Sequence, residues 1–283
     1  MSRIAYVNGR YVPHAAAGVS IDDRAFVFGD GVYEVCEVRG GRLIDAPRHL
    51  ARLERSLGLL KIAAPIAVEA IAFVLREVVA RNRVTRGLVY VQVSRGAAPR
   101  DFAFPAKGTR SGLVVTAKNI DPAPGDARLR DGVKVVTAPD ERWAHPHVKS
   151  LQLLPNVLAK QRAREAGAYE CWLVDKDGLI TEGASSNAWI VTRAGALVTR
   201  QADGAILRGV TRTTLLDAVA ALGLPVEERP FSLTEALGAA EAFFSSATTI
   251  ATPVVQIDSG KIADGLRGPI TESLQNCFHE YAK

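Results

Sequence analysis

Lys149 stands in His147-Val148-Lys149-Ser150-Leu151, and Glu182 in Thr181-Glu182-Gly183-Ala184-Ser185-Ser186-Asn187. A lysine amine condenses with an aldehyde to give a Schiff base, and a carboxylate pairs with a protonated ring nitrogen. These are the two charges that a pyridoxal phosphate site needs. Neither residue says this alone, because an isolated lysine or glutamate is far more often a solvated surface charge. Their combination, and what surrounds it, decides.

The elements that must position them can be read from pattern. An apolar-rich stretch after Lys149 reads as an amphipathic helix over 151–164, and the Glu182 loop is flanked by expected strands at 170–174 and 188–192. Upstream, Asn8-Gly9 sits between two short apolar runs and predicts a hairpin. Gly29 and Gly31 around Asp30 lead into a strand over 32–38, with Tyr33, Val35 and Glu37 on one face and Val32, Glu34 and Cys36 on the other. Asp45 is the expected N-cap of a helix with Pro47 in its first turn and Leu50, Leu53, Leu57 and Leu60 as its buried stripe. A second helix over 66–81 turns Ile71, Leu75, Val78 and Val79 inward. Strands follow at 88–93 and 113–116, and then Asp121-Pro122-Ala123-Pro124-Gly125-Asp126 breaks all periodicity. Further on, 133–136 reads as a strand, Gly209-Val210-Thr211 opens a helix, and Ser232 and Glu235 have capping-box spacing. Short strands at 242–245 and 253–257 precede a last helix that Pro269 begins.

The expected class is α/β (α+β) in two domains: a small N-terminal α/β domain at 1–121, a linker at 122–131 and a larger α/β domain at 132–283 that binds the cofactor. At 283 residues, with 48% hydrophobic and 23% charged residues, the chain can bury a substantial core, which excludes disorder as the default. The N-terminus lacks the layout of a signal peptide, and the longest weakly polar run, 243–257, is too short and too hydroxylated to span a bilayer. Cys36, Cys171 and Cys277 have no metal-ligand spacing and read as reduced thiols of a cytoplasmic protein. No metal is expected, and His145 and His147 around Pro146 are read as structural. The net charge of +5 comes from scattered arginines with no basic run, so no nucleic-acid partner is expected.

Several segments together resemble the fold-type IV (class IV) pyridoxal phosphate enzymes, which include D-amino acid aminotransferases, branched-chain aminotransferases and aminodeoxychorismate lyase. They are His147 to Lys160, Thr181 to Asn187, Phe28-Gly29-Asp30-Gly31-Val32-Tyr33-Glu34, Gly209-Val210-Thr211-Arg212 and Thr252-Pro253-Val254. The resemblance runs in order along nearly the whole chain. Lys149-Ser150-Leu151 and the pattern Ser-Arg-Gly-x-x-x-Arg-Asp at 94–101 are most similar to the D-amino acid aminotransferases.

The resemblance implies roles residue by residue. Lys149 forms the internal aldimine with pyridoxal 5'-phosphate and then moves the substrate proton, while Glu182 pairs with the pyridine nitrogen. Arg52, the backbone N–H groups of Val210 and Thr211, and Ser246 and Thr248 hold the phosphate, and Leu207 packs on the ring. Tyr33, Val35 and Arg100 bind the substrate, with Arg100 reaching in from the second subunit of a homodimer. The chain departs from the pattern twice: Ala247 stands where relatives usually carry Ser or Thr, and Phe102 where many D-specific relatives carry His.

The implied reaction is ping-pong transamination of D-amino acids such as D-alanine with 2-oxoglutarate or pyruvate as acceptor, the cofactor lying between the domains. A branched-chain L-aminotransferase, aminodeoxychorismate lyase and an (R)-selective amine transaminase share the same motifs. Lys149 and Glu182 argue against a non-catalytic binding protein of this fold.

Overall fold

The computed structural model describes residues 3–282; Met1, Ser2 and Lys283, which the expected domain bounds include, lie outside the described residues. The chain divides into two compact units. One runs to Asp121 and takes in Val148–Gln152; the other comprises Pro122–His147 and Leu153–Ala282.

In the first unit, β1 (Ile4–Val7) and β2 (Arg10–Pro13) form the hairpin, with Asn8 and Gly9 at φ of 46° and 96°. A two-residue turn matching the strand twist needs both angles positive. α1 (Arg24–Phe28) is capped by Asp23, whose carboxylate accepts from the Ala25 N–H at 2.8 Å, and Gly29 closes it in the left-handed region. β3 (Gly31–Arg39), β4 (Arg42–Leu43), α2 (Ala46–Leu59), α3 (Val68–Arg81), β5 (Arg86–Ser94) and β6 (Gly112–Asn119) complete the unit. Its six-stranded sheet has the order β2-β1-β6-β5-β3-β4.

β3 alternates as its sequence predicts, burying Val32, Glu34, Cys36 and Val38 and leaving Tyr33, Val35 and Glu37 half-buried. α3 buries Ile71, Val74, Leu75, Val78 and Val79. α2 differs from its leucine pattern: Leu53 and Leu57 are buried, but Leu50 and Leu60 only partly, and a second, polar face of His49, Arg52 and Ser56 is buried as well. Asp45 does precede α2, yet at φ 54° its carboxylate makes no capping hydrogen bond.

The second unit begins with a correction. The stretch expected as a linker at 122–131 is mostly helix, α4 (Ala123–Asp131). Proline lacks only an N–H that the first turn leaves unused, so Pro122 and Pro124 start a helix here instead of breaking one. α4 is tied into its unit by Gln275, whose Nε2 donates to the Leu129 carbonyl at 3.1 Å, and by Arg128, which lies 4.6 Å from the Tyr169 ring centroid. There follow β7 (Val133–Pro139), α5 (Leu154–Glu165), β8 (Glu170–Val174), β9 (Leu179–Gly183), β10 (Asn187–Val191), β11 (Leu197–Thr199) and α6 (Val210–Ala221). β12 (Val226–Glu228), β13 (Phe231–Ser232), α7 (Leu233–Leu237), β14 (Glu241–Ser246), β15 (Thr249–Ile257), β16 (Gly260–Lys261) and α8 (Pro269–Tyr281) end the chain. The sheet runs β12-β11-β10-β14-β15-β7-β8-β9-β13, with β16 added beside β15. Trp172, Ile180, Ile190, Phe231 and Phe244 fill its main core. The Ser232 hydroxyl accepts from the Glu235 N–H at 3.1 Å, so the expected cap of α7 forms.

A second correction concerns the lysine segment. The helix expected from residue 151 starts at Leu154, and of its residues only Ala159 and Ala163 are buried; Leu154, Val157 and Leu158 are exposed. Residues 148–152 form no helix, and Lys149–Leu151 instead pair with the start of β3. The Tyr33 N–H donates to the Lys149 carbonyl and the Leu151 N–H to the Gly31 carbonyl, both at 3.0 Å, and Val32 bridges Ser150. Pro155 in the first turn of α5 suits a helix that begins there and not three residues earlier.

The close approach depends on Gly31, where a Cβ would lie 2.6 Å from the Val93 carbonyl oxygen and 2.7 Å from Leu151 Cδ1. Gly31→Ala is expected to cost about 1–3 kcal/mol of stability. Hydrogen exchange should localise the damage: the Tyr33 and Leu151 amides should exchange faster while those of α3 do not.

Candidate active site

In the first unit the Lys149 side chain leaves the paired segment beside Tyr33, its Nζ 4.3 Å from that ring's centroid. Tyr33 in turn packs on Tyr90 at 5.6 Å. Val35 lies on the same half-buried face of β3 as Tyr33. On the opposite face Glu34 is 1% exposed and gathers two partners from α2. Arg52 donates from Nε to Oε1 at 2.6 Å and from Nη2 to Oε2 at 2.8 Å, and His49 Nδ1 lies 2.7 Å from Oε2.

Burial alone would raise the Glu34 pKa, but the charge and hydrogen bonds of Arg52, with His49, bring it down to about 2. Burial holds His49 below the usual histidine range, so its ring is neutral near pH 7. A carboxylate only accepts, so Nδ1 carries the hydrogen and donates. Arg52 is thus fixed in plane by a bidentate pair, the arrangement that presents a guanidinium to an oxyanion with little entropy left to lose.

The loop carrying Arg100 is held from within the same unit. Asp30 accepts from Arg24 Nε at 2.8 Å and from Arg95 Nε and Nη2 at 2.8 and 3.0 Å. Arg24 Nη1 also donates to the Asp101 carbonyl at 2.6 Å, and Arg95 lies 3.7 Å from the Phe104 ring centroid. Arg100 itself is exposed, over the rings of Phe28 and Phe102 at 5.3 and 5.6 Å, while Phe102 is 80% exposed. Within this unit Lys149 and Tyr33 come together and Arg100 stands apart from them, over Phe28.

In the second unit Glu182 lies near the end of β9, 4% exposed. Its Oε1 accepts from Arg142 Nη1 and from the Leu207 N–H at 3.1 Å, and its Oε2 accepts from Asn187 Nδ2 at 2.8 Å. Asn187 Nδ2 also donates to the Leu207 carbonyl at 2.9 Å, so Leu207 is pinned by its backbone on both sides. Gly209 touches the same residue: a Cβ there would overlap Asn187 Oδ1. Glycine therefore brings the start of α6 against the Glu182 support. As N-cap, Gly209 also offers no side chain to satisfy the N–H groups of the first turn, where Val210 and Thr211 are buried. An open first turn attracts anions through those groups and the helix dipole. α6 packs against β14, which ends at Ser246. The Ser246 hydroxyl lies 2.5 Å from that of Thr249, and Thr248 is exposed in the turn between them.

Sequence reasoning missed three supports. Arg142 bonds Asp140 through Nε at 2.9 Å and Nη2 at 2.7 Å before reaching Glu182, and Thr181 Oγ1 donates to Asp140 at 2.8 Å. An Asp-x-Arg just beyond a strand and shortly before the lysine was the available signal. Glu34, the partner of Arg52, could have been flagged as an acid on the apolar face of a strand. Asn187 closes the Thr-Glu-Gly segment, and its type alone suggests no role. His145 packs edge-on between Trp143 and His147, and His147 Nδ1 lies 3.2 Å from the Gly204 carbonyl. Among the described residues no group of His, Cys, Asp and Glu could hold a metal ion, and no helix is long and apolar enough to cross a membrane.

Residues 31–257 match the family described as Amino-transferase class IV. The chain belongs to the class IV aminotransferases. Their pyridoxal phosphate dependence comes with the family. This class IV aminotransferase is 37% identical over 275 residues to the D-alanine aminotransferase of Listeria innocua, covering 97% of this chain and 94% of that one. It is 35% identical over 276 residues to the D-alanine aminotransferase of Staphylococcus haemolyticus, covering 98% and 96%. Among solved structures it is similar to the branched-chain amino acid aminotransferase of Escherichia coli, with a TM-score of 0.91 at 23% identity over 99% of this chain and 94% of that one. A second branched-chain amino acid aminotransferase, solved with pyridoxamine 5'-phosphate, gives 0.91 at 24% identity, again over 99% and 94%. These last likenesses establish the fold, fold-type IV.

The residues present fit the cofactor. Asp140, Arg142 and Glu182 together carry one excess negative charge in a nearly dry place. Burial raises the Glu182 pKa despite the opposing charge of Arg142. A cation placed beside this carboxylate, such as a protonated pyridine nitrogen, would offset that burial and favour the ionised form.

The Glu34 cluster generates a stability prediction. A carboxyl with a depressed folded pKa gives stability that is present above its unfolded pKa and fades as pH falls toward about 2. His49, held neutral by burial, acts in the same direction, its contribution fading as pH drops below the ordinary histidine range. Urea titrations should find stability falling with pH from about 6.5 downward. Glu34→Gln should flatten the slope below about pH 4.5 and cost about 3–5 kcal/mol at pH 7.

Proposed function

We propose that this class IV aminotransferase transfers the amino group of D-amino acids resembling D-alanine to a 2-oxo acid such as 2-oxoglutarate or pyruvate. The observation that carries the reading is the 35–37% identity, over nearly the full length of both chains, to proteins named D-alanine aminotransferase. The likeness to branched-chain enzymes stays at 23–24% identity, so it bears on the fold and not on the substrate.

Bound pyridoxal phosphate supplies an aldehyde for an amine and a ring that withdraws electrons. The chain supplies the rest. Lys149 Nζ is the group that takes the proton from the donor's Cα and returns one to the acceptor's, being both amine and general base. Glu182 would pair with the ring nitrogen, and Leu207 would pack against the ring. Arg52, held flat by Glu34, would be one holder of the phosphate, and the Val210 and Thr211 N–H groups, Ser246 and Thr248 would be others. Ala247 removes one hydroxyl from that turn, and its backbone N–H serves in its place.

Tyr33 and Val35 line the substrate side of β3. Arg100 serves the carboxylate of the substrate in a second copy of the chain. Its exposure, with that of the neighbouring Phe102, supports a homodimer in which this loop is covered. Phe102 brings an apolar surface where a further donor would stand, leaving Arg100 and Tyr33 to hold the carboxylate. The cysteines are all unpaired, in keeping with work in the reducing cytoplasm.

Adding D-alanine and L-leucine separately to the yellow enzyme tests the substrate reading. D-alanine should convert the absorbance to that of the amine form, and conversion by L-leucine alone would overturn the D-specific assignment. Lys149→Ala should lower kcat by about 10²–10⁴-fold. Sedimentation should give a dimer, and a fully active monomer would dismiss the role of Arg100 across subunits.

A further inference from the structure

We propose that Arg142, anchored by Asp140, decides where the proton between Glu182 and the cofactor's ring nitrogen resides, by placing a fixed positive charge against the Glu182 carboxylate. The inference rests on Glu182 facing that nitrogen.

Arg142 leaves β7 three residues past its end and turns its guanidinium inward, 7% exposed, between two carboxylates. Asp140 takes Nε and Nη2, and its own place is fixed: its N–H donates to the Val174 carbonyl at 2.8 Å, and Thr181 Oγ1 donates to its Oδ2. That leaves Nη1 to reach Glu182 Oε1. Thr181 precedes Glu182 on β9, and its Oγ1 lies 3.2 Å from the Leu173 carbonyl oxygen, so anchor and carboxylate ride on the same strand. The guanidinium cannot slide from one carboxylate to the other without losing two bonds.

The order along this row is anion, cation, anion, and the ring nitrogen adds the fourth member. One proton is at stake. With a fixed cation on Oε1, Glu182 is a poorer proton acceptor than burial alone would make it, so the proton stays on the ring nitrogen and the ring carries the positive charge. Without that cation, burial favours the neutral carboxylic acid; the proton moves to Glu182, and the ring nitrogen becomes a neutral acceptor. Asn187 and the Leu207 N–H cannot substitute, because both are neutral donors. Arg142 touches Glu182 and acts through it, so it is a positioning residue.

The test reads the ring directly. Holoenzyme is prepared with cofactor labelled with 15N in the ring, and the nitrogen resonance is recorded for the wild type and for Arg142→Gln, Arg142→Lys and Glu182→Gln. Arg142→Gln keeps a hydrogen-bond donor but removes the charge. Its resonance should move toward that of unprotonated pyridine, with kcat down about tenfold or more. Arg142→Lys restores the charge and should return the resonance to the wild-type position with kcat within about tenfold of wild type.

An unmoved resonance in Arg142→Gln overturns the proposal, and so does an equal shift in the Gln and Lys variants, since charge would then not matter. If the neutral variant does not fold, Arg142→Lys alone still decides: a ring nitrogen that has lost its proton there overturns the proposal. Glu182→Gln separates the two layers. If it leaves the resonance unmoved, the assignment of Glu182 to the ring fails, whatever Arg142 does.

Discussion

A carboxylate buried to 4% exposure has to be compensated, and the second unit is built around compensating Glu182. Arg142 supplies charge, Asn187 and the Leu207 N–H supply neutral donors, and each of those groups needs its own support. Asp140 and Thr181 fix Arg142; Gly209 lets the backbone before α6 approach Asn187. Removing water from around a charge makes its remaining partners count for more, so the region tolerates little displacement. The bonds that offset the cost of burying the acid also hold it rigidly in place.

The first unit solves a parallel problem with opposite emphasis. There the buried cation is Arg52, and Glu34 serves as its fixed counter-ion, with a neutral His49 as donor. Both clusters use a bidentate arginine–carboxylate contact to lock a planar group. They differ in what is left over: the Glu34 cluster is internally balanced, while the Glu182 cluster keeps one negative charge unanswered. Only the second therefore calls for a cation.

Much of this was legible in the sequence where the determinant is local. Asn8-Gly9 made its hairpin, Ser232 capped α7, and the alternation along β3 fell on the predicted faces. Two local readings misled. Pro122 and Pro124 looked like a broken stretch but sit in a helix start, and residues 151–153 looked helical but lie outside the helix, which starts at Leu154. The second error has a long-range cause, since the backbone bonds that hold 148–152 come from Gly31 and Tyr33, far up the chain. The same holds for the missed residues. Nothing near Arg142 in sequence announces Glu182, and nothing near Arg52 announces Glu34; both pairings exist only once strands are in register. Family likeness reached Lys149 and Glu182 because it reads segments, not the contacts between them.

The backbone pairing around Lys149 bears on how the molecule comes into being. Residues 148–152 belong to the first unit, although the chain between Pro122 and His147 has already gone to the second. During synthesis, the N-terminal unit waits without its last piece of backbone pairing until the ribosome has passed the lysine. Closing so long a loop is slow compared with forming the local hairpin and helices. Lys149 is therefore among the last groups of that unit to settle, after the sheet that receives it has formed.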